Sequence, residues 1–411
     1  MATVWGTNNS ETLDQADGAT DGADVIIGLN GKDKLWGLGG HDYLKGGGGA
    51  DELHGGTGQD WADYSDATDG VEVYLSKGKG FKNYAEGDTY DSIENVWGSG
   101  YHDIIHGDSN PNHLYGGGGV DWLRGGFGAD ILDGGANLDM ADYEDSPSAV
   151  FVDLMAGTAS GGHAFQDTLI SISGVRGSAF ADLLIGNDEN SNLVGGGDDD
   201  WLFGNGGNDW LEDGAGNDQM WGDIGDDNYF VGEPGDLVIE FAGEGNDYVI
   251  ARIDYTLPDN VEYLWITNNA TKATGNALDN NILGNDLGNT ITGGLGHDWL
   301  RGYGGADYFV WLKTEETTTD QMTADIIDDF DFDEEGDRID VAGVDADVYA
   351  AGNQGFTFIG AAAFSGTPGE INYVQANGNT YIQLQTGTAA DVEAVICIEG
   401  IVTPQASWFV L

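Results

Sequence analysis

Glycine recurs every nine residues at 28, 37, 46 and 55, and an aspartate follows each by five positions, at Asp33, Asp42, Asp51 and Asp60. Self-similarity at a short fixed period is the mark of a repeat architecture, in which neighbouring units must stack to bury a common core. The register restarts at Gly98 and runs through 107, 116, 125 and 134, with Asp103, Asp121, Asp130 and Asp139 in the acidic slot and Asn112 in the remaining one. A third run supplies Asp182, Asp200, Asp209, Asp218 and Asp227, and a fourth supplies Asp298 and Asp307 after weaker blocks at Gly275 and Gly284. Asp24 stands nine residues before Asp33 and joins the first run. Two positions after the aspartate the residue is apolar nearly throughout, as at Leu35, Leu44, Leu53, Leu123, Leu132, Leu202, Leu211, Met220 and Leu300.

A longer duplication overlies the short one. Residues 55–123 match 134–202 at a constant offset of 79: Ala62-Asp63-Tyr64 recurs as Ala141-Asp142-Tyr143, and Asp88-Thr89 as Asp167-Thr168. Each copy contains a stretch outside the nonapeptide rule, where alternation such as Val71-Glu72-Val73-Tyr74-Leu75 or Val150-Phe151-Val152-Asp153-Leu154 reads as strand. These inserts are expected to continue the stack as longer coils. The chain divides accordingly into a repeat block at 1–63, two insert-plus-repeat modules at 64–142 and 143–230, a connector with a short repeat block at 231–310, and a cap at 311–411. No segment reads as an amphipathic helix.

The pattern Gly-Gly-x-Gly-x-Asp-x-apolar-x splits into a six-residue turn, opened by glycines, and a three-residue strand. Strand side chains alternate in direction, so the apolar position points inward and its two neighbours outward. Two blocks complete one coil, and coils stack about 4.8 Å apart. Aspartates 18 residues apart, such as Asp33 with Asp51 and Asp42 with Asp60, then lie beside one another on one edge. Like charges so close repel. A hard cation removes the repulsion, and calcium accepts six to eight oxygens in a flexible shell, whereas magnesium demands octahedral geometry and keeps its water.

Charge makes the same demand of the whole chain. There are 72 acidic side chains against 13 basic ones, a formal charge of -59. That balance excludes nucleic acid as a partner, because phosphate contacts need Lys and Arg, and it argues against a bare anionic membrane surface. Such acidity would ordinarily mean disorder, yet 40% of the residues are hydrophobic, with 12 Trp, 17 Tyr and 15 Phe. The acid must be neutralised, and divalent cations are the candidates. The lone Cys397 excludes an internal disulfide. No run has the length of a membrane-spanning helix, and residues 1–24 lack the basic start and apolar core of a secretory signal, so export is expected to use another address.

Blocks such as Gly46-Gly47-Gly48-Gly49-Ala50-Asp51-Glu52-Leu53-His54 resemble the haemolysin-type, or RTX, calcium-binding repeats. The resemblance implies an all-β fold: a parallel β-roll or β-solenoid of nonapeptide calcium-binding repeats, interrupted by β-rich inserts and closed by a β-sandwich-like cap. Several calcium ions are implied, held by the aspartates already named. At Asn112, Asn192, Asn280 and Asn289 an amide is read in the acidic slot, and calcium is expected to bind weakly there if at all. From about Tyr308 the chain is similar to the end of serralysin-type secreted proteins, in Asp325-Ile326-Ile327-Asp328-Asp329-Phe330 and Gly336-Asp337-Arg338-Ile339-Asp340. Asp325 and Asp329 join the metal candidates, and the resemblance implies type I secretion machinery as a partner.

Catalytic signatures are absent: the sequence has no His-Glu-x-x-His, no Gly-x-Ser-x-Gly, no phosphate loop and no dinucleotide fingerprint. His102, His106 and His113 form the one histidine cluster and read as surface residues. Trp61, Trp122, Trp201, Trp210, Trp299, Tyr43 and Tyr308 all stand beside the inward position and should face outward, as a second packing layer or as a contact surface for a glycan or another subunit. The reading is a secreted, non-enzymatic calcium-binding protein of a cell surface, ordered layer, filament or adhesive matrix, which folds when calcium arrives outside the cell. The alternative is an extracellular polysaccharide lyase or epimerase stabilised by its repeats.

Overall fold

Three residues of a nonapeptide are extended in the first run, in strands such as Lys34–Trp36, Tyr43–Lys45, Glu52–His54 and Trp61–Asp63, and up to six in later runs, as in His113–Gly118 and Trp201–Gly206. The computed structural model describes residues 1–411, in two units, Met1–Met220 and Trp221–Leu411. It contains strands and short 3-10 turns and no α-helix.

In the first unit, strands two blocks apart pair in parallel. Val25, Ile26 and Ile27 stand over Tyr43, Leu44 and Lys45, and Lys34, Leu35 and Trp36 over Glu52, Leu53 and His54. The middle residue of each strand points inward, and Ile26, Leu35, Leu44, Leu53, Ile105, Leu114, Leu123 and Leu132 are all fully buried. Each such side chain contributes roughly 1.5–3 kcal/mol relative to exposure. The core is therefore a file of single aliphatic residues between two strand ladders.

The inserts do more than lengthen a coil. Thr89–Asp91 and Asn95–Trp97 do continue the stack, in parallel with Glu52–His54 and Trp61–Asp63. Glu72–Tyr74, however, runs antiparallel to Lys79–Phe81, and Lys79 pairs antiparallel with Thr89. Glu72–Tyr74 then lies parallel to Ile104–His106 and opens the next ladder. The second copy repeats this, with Phe151–Asp153 antiparallel to Thr158–Ser160 and parallel to Leu183–Ile185. Alternating side chains mark a strand but not its direction. The reversal comes at Gly78 and Gly157, whose φ values of 60° and 66° are left-handed.

In the second unit the connector simply adds rungs. Asn228–Val231, Tyr248–Ala251, Tyr263–Ile266, Asn281–Leu283, Trp299–Arg301 and Asp325–Ile327 form one parallel ladder. Tyr255–Thr256, Lys272–Thr274, Thr290–Thr292, Tyr308–Val310 and Arg338–Asp340 form the facing one. The cap is sandwich-like in that it extends both ladders. The meander Glu370–Ala376, Asn379–Gln385 and Ala394–Ile398 joins the first through Asp325–Ile327, and Phe409–Val410 joins the second.

Candidate metal centres

The repeat aspartates tie neighbouring coils together through one oxygen. Oδ1 of Asp42 accepts the backbone N–H of Asp24 at 2.7 Å, and Oδ1 of Asp60 that of Asp42 at 2.8 Å. The parallel row links Asp33 to Asp51 and Asp51 to Asp88, at 2.8 and 2.7 Å. The same bond joins Asp103 to Asp121, Asp121 to Asp139, Asn112 to Asp130, Asp182 to Asp200, Ser191 to Asp209 and Asp200 to Asp218. Further along, Asp227 donates to Asp247, Asn280 to Asp298 and Asn289 to Asp307. The aspartates 18 apart are thus brought together, with burial that solvated turn formers would lack: exposure of Asp33, Asp42, Asp51, Asp60, Asp121 and Asp130 does not exceed 1%.

The second oxygen is the informative one. Oδ2 of Asp33, Asp42, Asp51, Asp60, Asp121, Asp130, Asp139, Asp200, Asp298 and Asp307 is buried and meets no hydrogen-bond donor. A buried acceptor left so costs roughly 1–3 kcal/mol, more when charged. Its surroundings also explain the glycine five positions earlier. A Cβ on Gly28 would come within 2.7 Å of both Asp33 Oδ2 and the Gly46 carbonyl oxygen, and one on Gly37 within 2.5 Å of both Asp42 Oδ2 and the Gly55 carbonyl oxygen. Glycine leaves a niche where a carboxylate and a carbonyl oxygen converge, the mixed oxygen set that suits calcium. Without a cation, burial pushes Asp121, Asp200 and Asp298 up to about 8, Asp130 and Asp307 to about 7, and Asp42 and Asp51 to about 6. The backbone N–H bonds oppose this only in part, and neighbouring carboxylates of the row add to it.

Other slots are satisfied by the protein itself. Asp24, Asp103 and Asp182, spaced 79 apart, have a hydroxyl residue four positions earlier. Thr20, Ser99 and Ser178 each give the aspartate both a backbone N–H and a hydroxyl bond. In Asn112, Nδ2 donates to the Glu94 carbonyl at 2.7 Å, and in Asn280 to that of Val261 at 3.1 Å. The amide nitrogen thus stands where the aspartates have the oxygen bonded to a backbone N–H, and the amide oxygen beside the glycine, bare in the aspartates, accepts the N–H of Asp108 or Asn276. Asn192 is displaced by one from its reading: Ser191 fills the slot, against Gly186, and Asn192 is an exposed strand residue. Asp325 accepts from Trp311 Nε1 at 2.7 Å as well as from Asp298 N–H, and Asp329 accepts from the N–H groups of Gly302 and Tyr303.

Several participants lie outside the nonapeptide register. Asp88 and Asp167 end their rows with one oxygen on a backbone N–H and the other on the hydroxyl of buried Tyr64 or Tyr143. Asp337 accepts from both Asp307 and Asp331. The signal for the first two was present, since Asp88-Thr89 and Ala62-Asp63-Tyr64 recur at the offset of 79. The histidines do not converge: His102 bonds the Val120 carbonyl, His106 lies 4.5 Å from the Tyr74 ring and His113 4.9 Å from that of Trp61.

A family model described as RTX calcium-binding nonapeptide repeat (4 copies) matches residues 19–53, 27–62, 97–132, 106–140 and 176–211, and one described as Peptidase M10 serralysin C terminal matches 217–410. The chain carries RTX calcium-binding repeats and a serralysin-type C-terminal region. No protease domain is detected beside them. The serralysin-type match begins well before Tyr308 and takes in the connector, whose rungs carry the second unit's ladders. These families place the RTX chain among secreted calcium-binding proteins. A comparison with curated proteins finds no match. No helix is long and apolar enough to cross a membrane.

Proposed function

We propose that this RTX protein leaves the cell unfolded through a type I secretion route, folds on calcium outside, and serves as a non-enzymatic component of a cell surface, ordered layer, filament or matrix. The observation that carries this reading is the file of buried aspartate oxygens without donors. Where calcium is scarce, burying them is unfavourable and the chain stays open; at extracellular calcium, sites with dissociation constants of roughly 0.1–1 mM would fill. Binding and folding are then one event.

Outward rings support a contact role. Tyr43 stacks on Trp61 with centroids 5.7 Å apart, Trp61 lies 6.4 Å from Trp97, and Trp97 5.2 Å from Tyr115, one continuous aromatic strip on a ladder of the first unit. Trp201, Trp210 and Tyr308 are each more than 40% exposed. Flat rings on a sheet face suit a second subunit or a glycan. A calcium titration followed by circular dichroism and light scattering tests the reading: sheet signal and scattering should rise together. A chain that folds without calcium, or stays monomeric at all concentrations, contradicts it.

A further inference from the structure

At the end of the third nonapeptide run, its last aspartate converges with two carboxylates of the connector inside the second unit. Asp227 precedes the strand Asn228–Val231, Glu240 follows Leu237–Ile239 and Asp247 precedes Tyr248–Ala251. All three are buried, with 0%, 6% and 1% exposure, and one oxygen from each lies within 4.8 Å of the others. Asp227 and Asp247 are 20 residues apart rather than 18, and Glu240 comes from the connector, outside any glycine-spaced block.

At Glu240 the group is short of a donor. The Asp227 N–H takes one oxygen of Asp247 at 2.9 Å. The hydroxyl of Tyr229, itself fully buried, donates to Glu240 Oε1, and Glu240 Oε2 is buried with no hydrogen-bond partner. A Cβ on Gly222 would collide with both Asp227 Oδ2 and the Tyr229 hydroxyl, so glycine again leaves space beside the oxygens. The strongest charged neighbours of Glu240 and Asp247 are further carboxylates.

We propose that Asp227, Glu240 and Asp247 bind a calcium ion at a site separate in kind from the repeat sites, one that fastens the connector between Val231 and Tyr248 to the ladder. The proposal rests on the calcium reading above. Calcium bonds of 2.3–2.6 Å allow two ligand oxygens to lie about 4.6–5.2 Å apart across one ion, whereas magnesium bonds of 2.0–2.1 Å allow about 4.2 Å. The connector has reason to need a fastening. It replaces nonapeptide turns with a loop whose tip carries Phe241 at 59% exposure, and Glu240 is the buried residue immediately before that tip.

The test uses the full chain. Glu240→Gln preserves shape and an acceptor for Tyr229 while removing the charge. Native mass spectrometry and equilibrium dialysis at about 1 mM calcium should show one ion fewer, and chymotrypsin cleavage after Phe241 should accelerate on the order of tenfold as the loop opens locally. Asp121→Asn, at a repeat aspartate, should also lose an ion but leave cleavage at Phe241 unchanged. Should Glu240→Gln fail to fold by circular dichroism, Glu240→Asp retains the charge, and it should protect Phe241 only at higher calcium than the unsubstituted chain requires. A Glu240→Gln chain that folds, keeps every ion and is cut no faster overturns this site, because a proton then fills the place assigned to calcium. An unsubstituted chain that binds no calcium overturns the wider reading and this site with it.

Discussion

Residues 28–60 and residues 275–292 are built on the same nine-residue plan and differ in what the oxygen beside the niche meets. In the first, Asp33, Asp42, Asp51 and Asp60 each bury an Oδ2 with no donor. In the second, Asn280 and Asn289 accept through Oδ1 from the N–H groups of Asn276 and Asn285 and direct Nδ2 toward the carbonyls of Val261 and Ala270. One rung is incomplete without a cation and the other is complete as it stands. The plan therefore specifies the coil, and whether the oxygen beside the glycine finds a protein donor specifies whether the coil depends on an ion.

The largest effect expected from this contrast is on the aspartate rungs when calcium is withdrawn, and its size should follow pH. In the metal-free fold the carboxyls of Asp121 and Asp200 are pushed up to about 8, and those of Asp42 and Asp51 to about 6, from an ordinary value of 3.8. Raised values mean that the folded chain binds more protons than the unfolded one, so their stabilising contribution is complete below about pH 4 and is lost as pH rises through 6 to 8. Melting curves in chelator should show a folded chain at about pH 5 and an open one at pH 8, with added calcium shifting the melting temperature far more at pH 8. Equal calcium dependence at both values would break the contrast.

Next in size is the niche itself. Gly37→Ala places a Cβ against Asp42 Oδ2 and the Gly55 carbonyl, and overpacking of this kind costs about 1–3 kcal/mol. In calcium the cost should exceed that of an alanine at exposed, unobstructed Gly100, as urea unfolding of the two variants would show.

Exchanging the two chemistries sharpens the comparison further. Asp121→Asn should raise the stability of the metal-free chain, lower that of the calcium-loaded one and reduce bound calcium by one ion. Asn280→Asp should do the reverse in the metal-free chain, by burying an acceptor at a cost of roughly 1–3 kcal/mol. Denaturant unfolding with and without chelator reads both. The smallest effect belongs to the aspartates that open each run. Ser99→Ala removes one hydroxyl bond to Asp103, leaves its backbone N–H bond in place, and should cost about 1 kcal/mol with little change in calcium uptake.

Much of this architecture was legible because a period of nine admits few solutions. The inward file from Ile26 to Leu132 and the pairing of Asp33 with Asp51 follow from strand alternation and two blocks per coil. Three things were not legible. The antiparallel turn at Lys79–Phe81 depends on the left-handed Gly78, and alternation in Val71–Leu75 carries no direction. The division of labour within carboxylates such as Asp42 and Asp121, Oδ1 on a backbone N–H and Oδ2 bare, is a matter of atoms rather than residue types. Glu240 lies in no repeat, and its approach to Asp227 depends on a long-range fold of the connector.

The most direct test of the central claim is anomalous diffraction from crystals grown with calcium. Peaks should lie beside Oδ2 of Asp42, Asp60, Asp121 and Asp139, with none beside Oδ1 of Asn112 and Asn280. Ordered water or a protonated carboxyl at those aspartates, in a chain folded at neutral pH, would contradict the account.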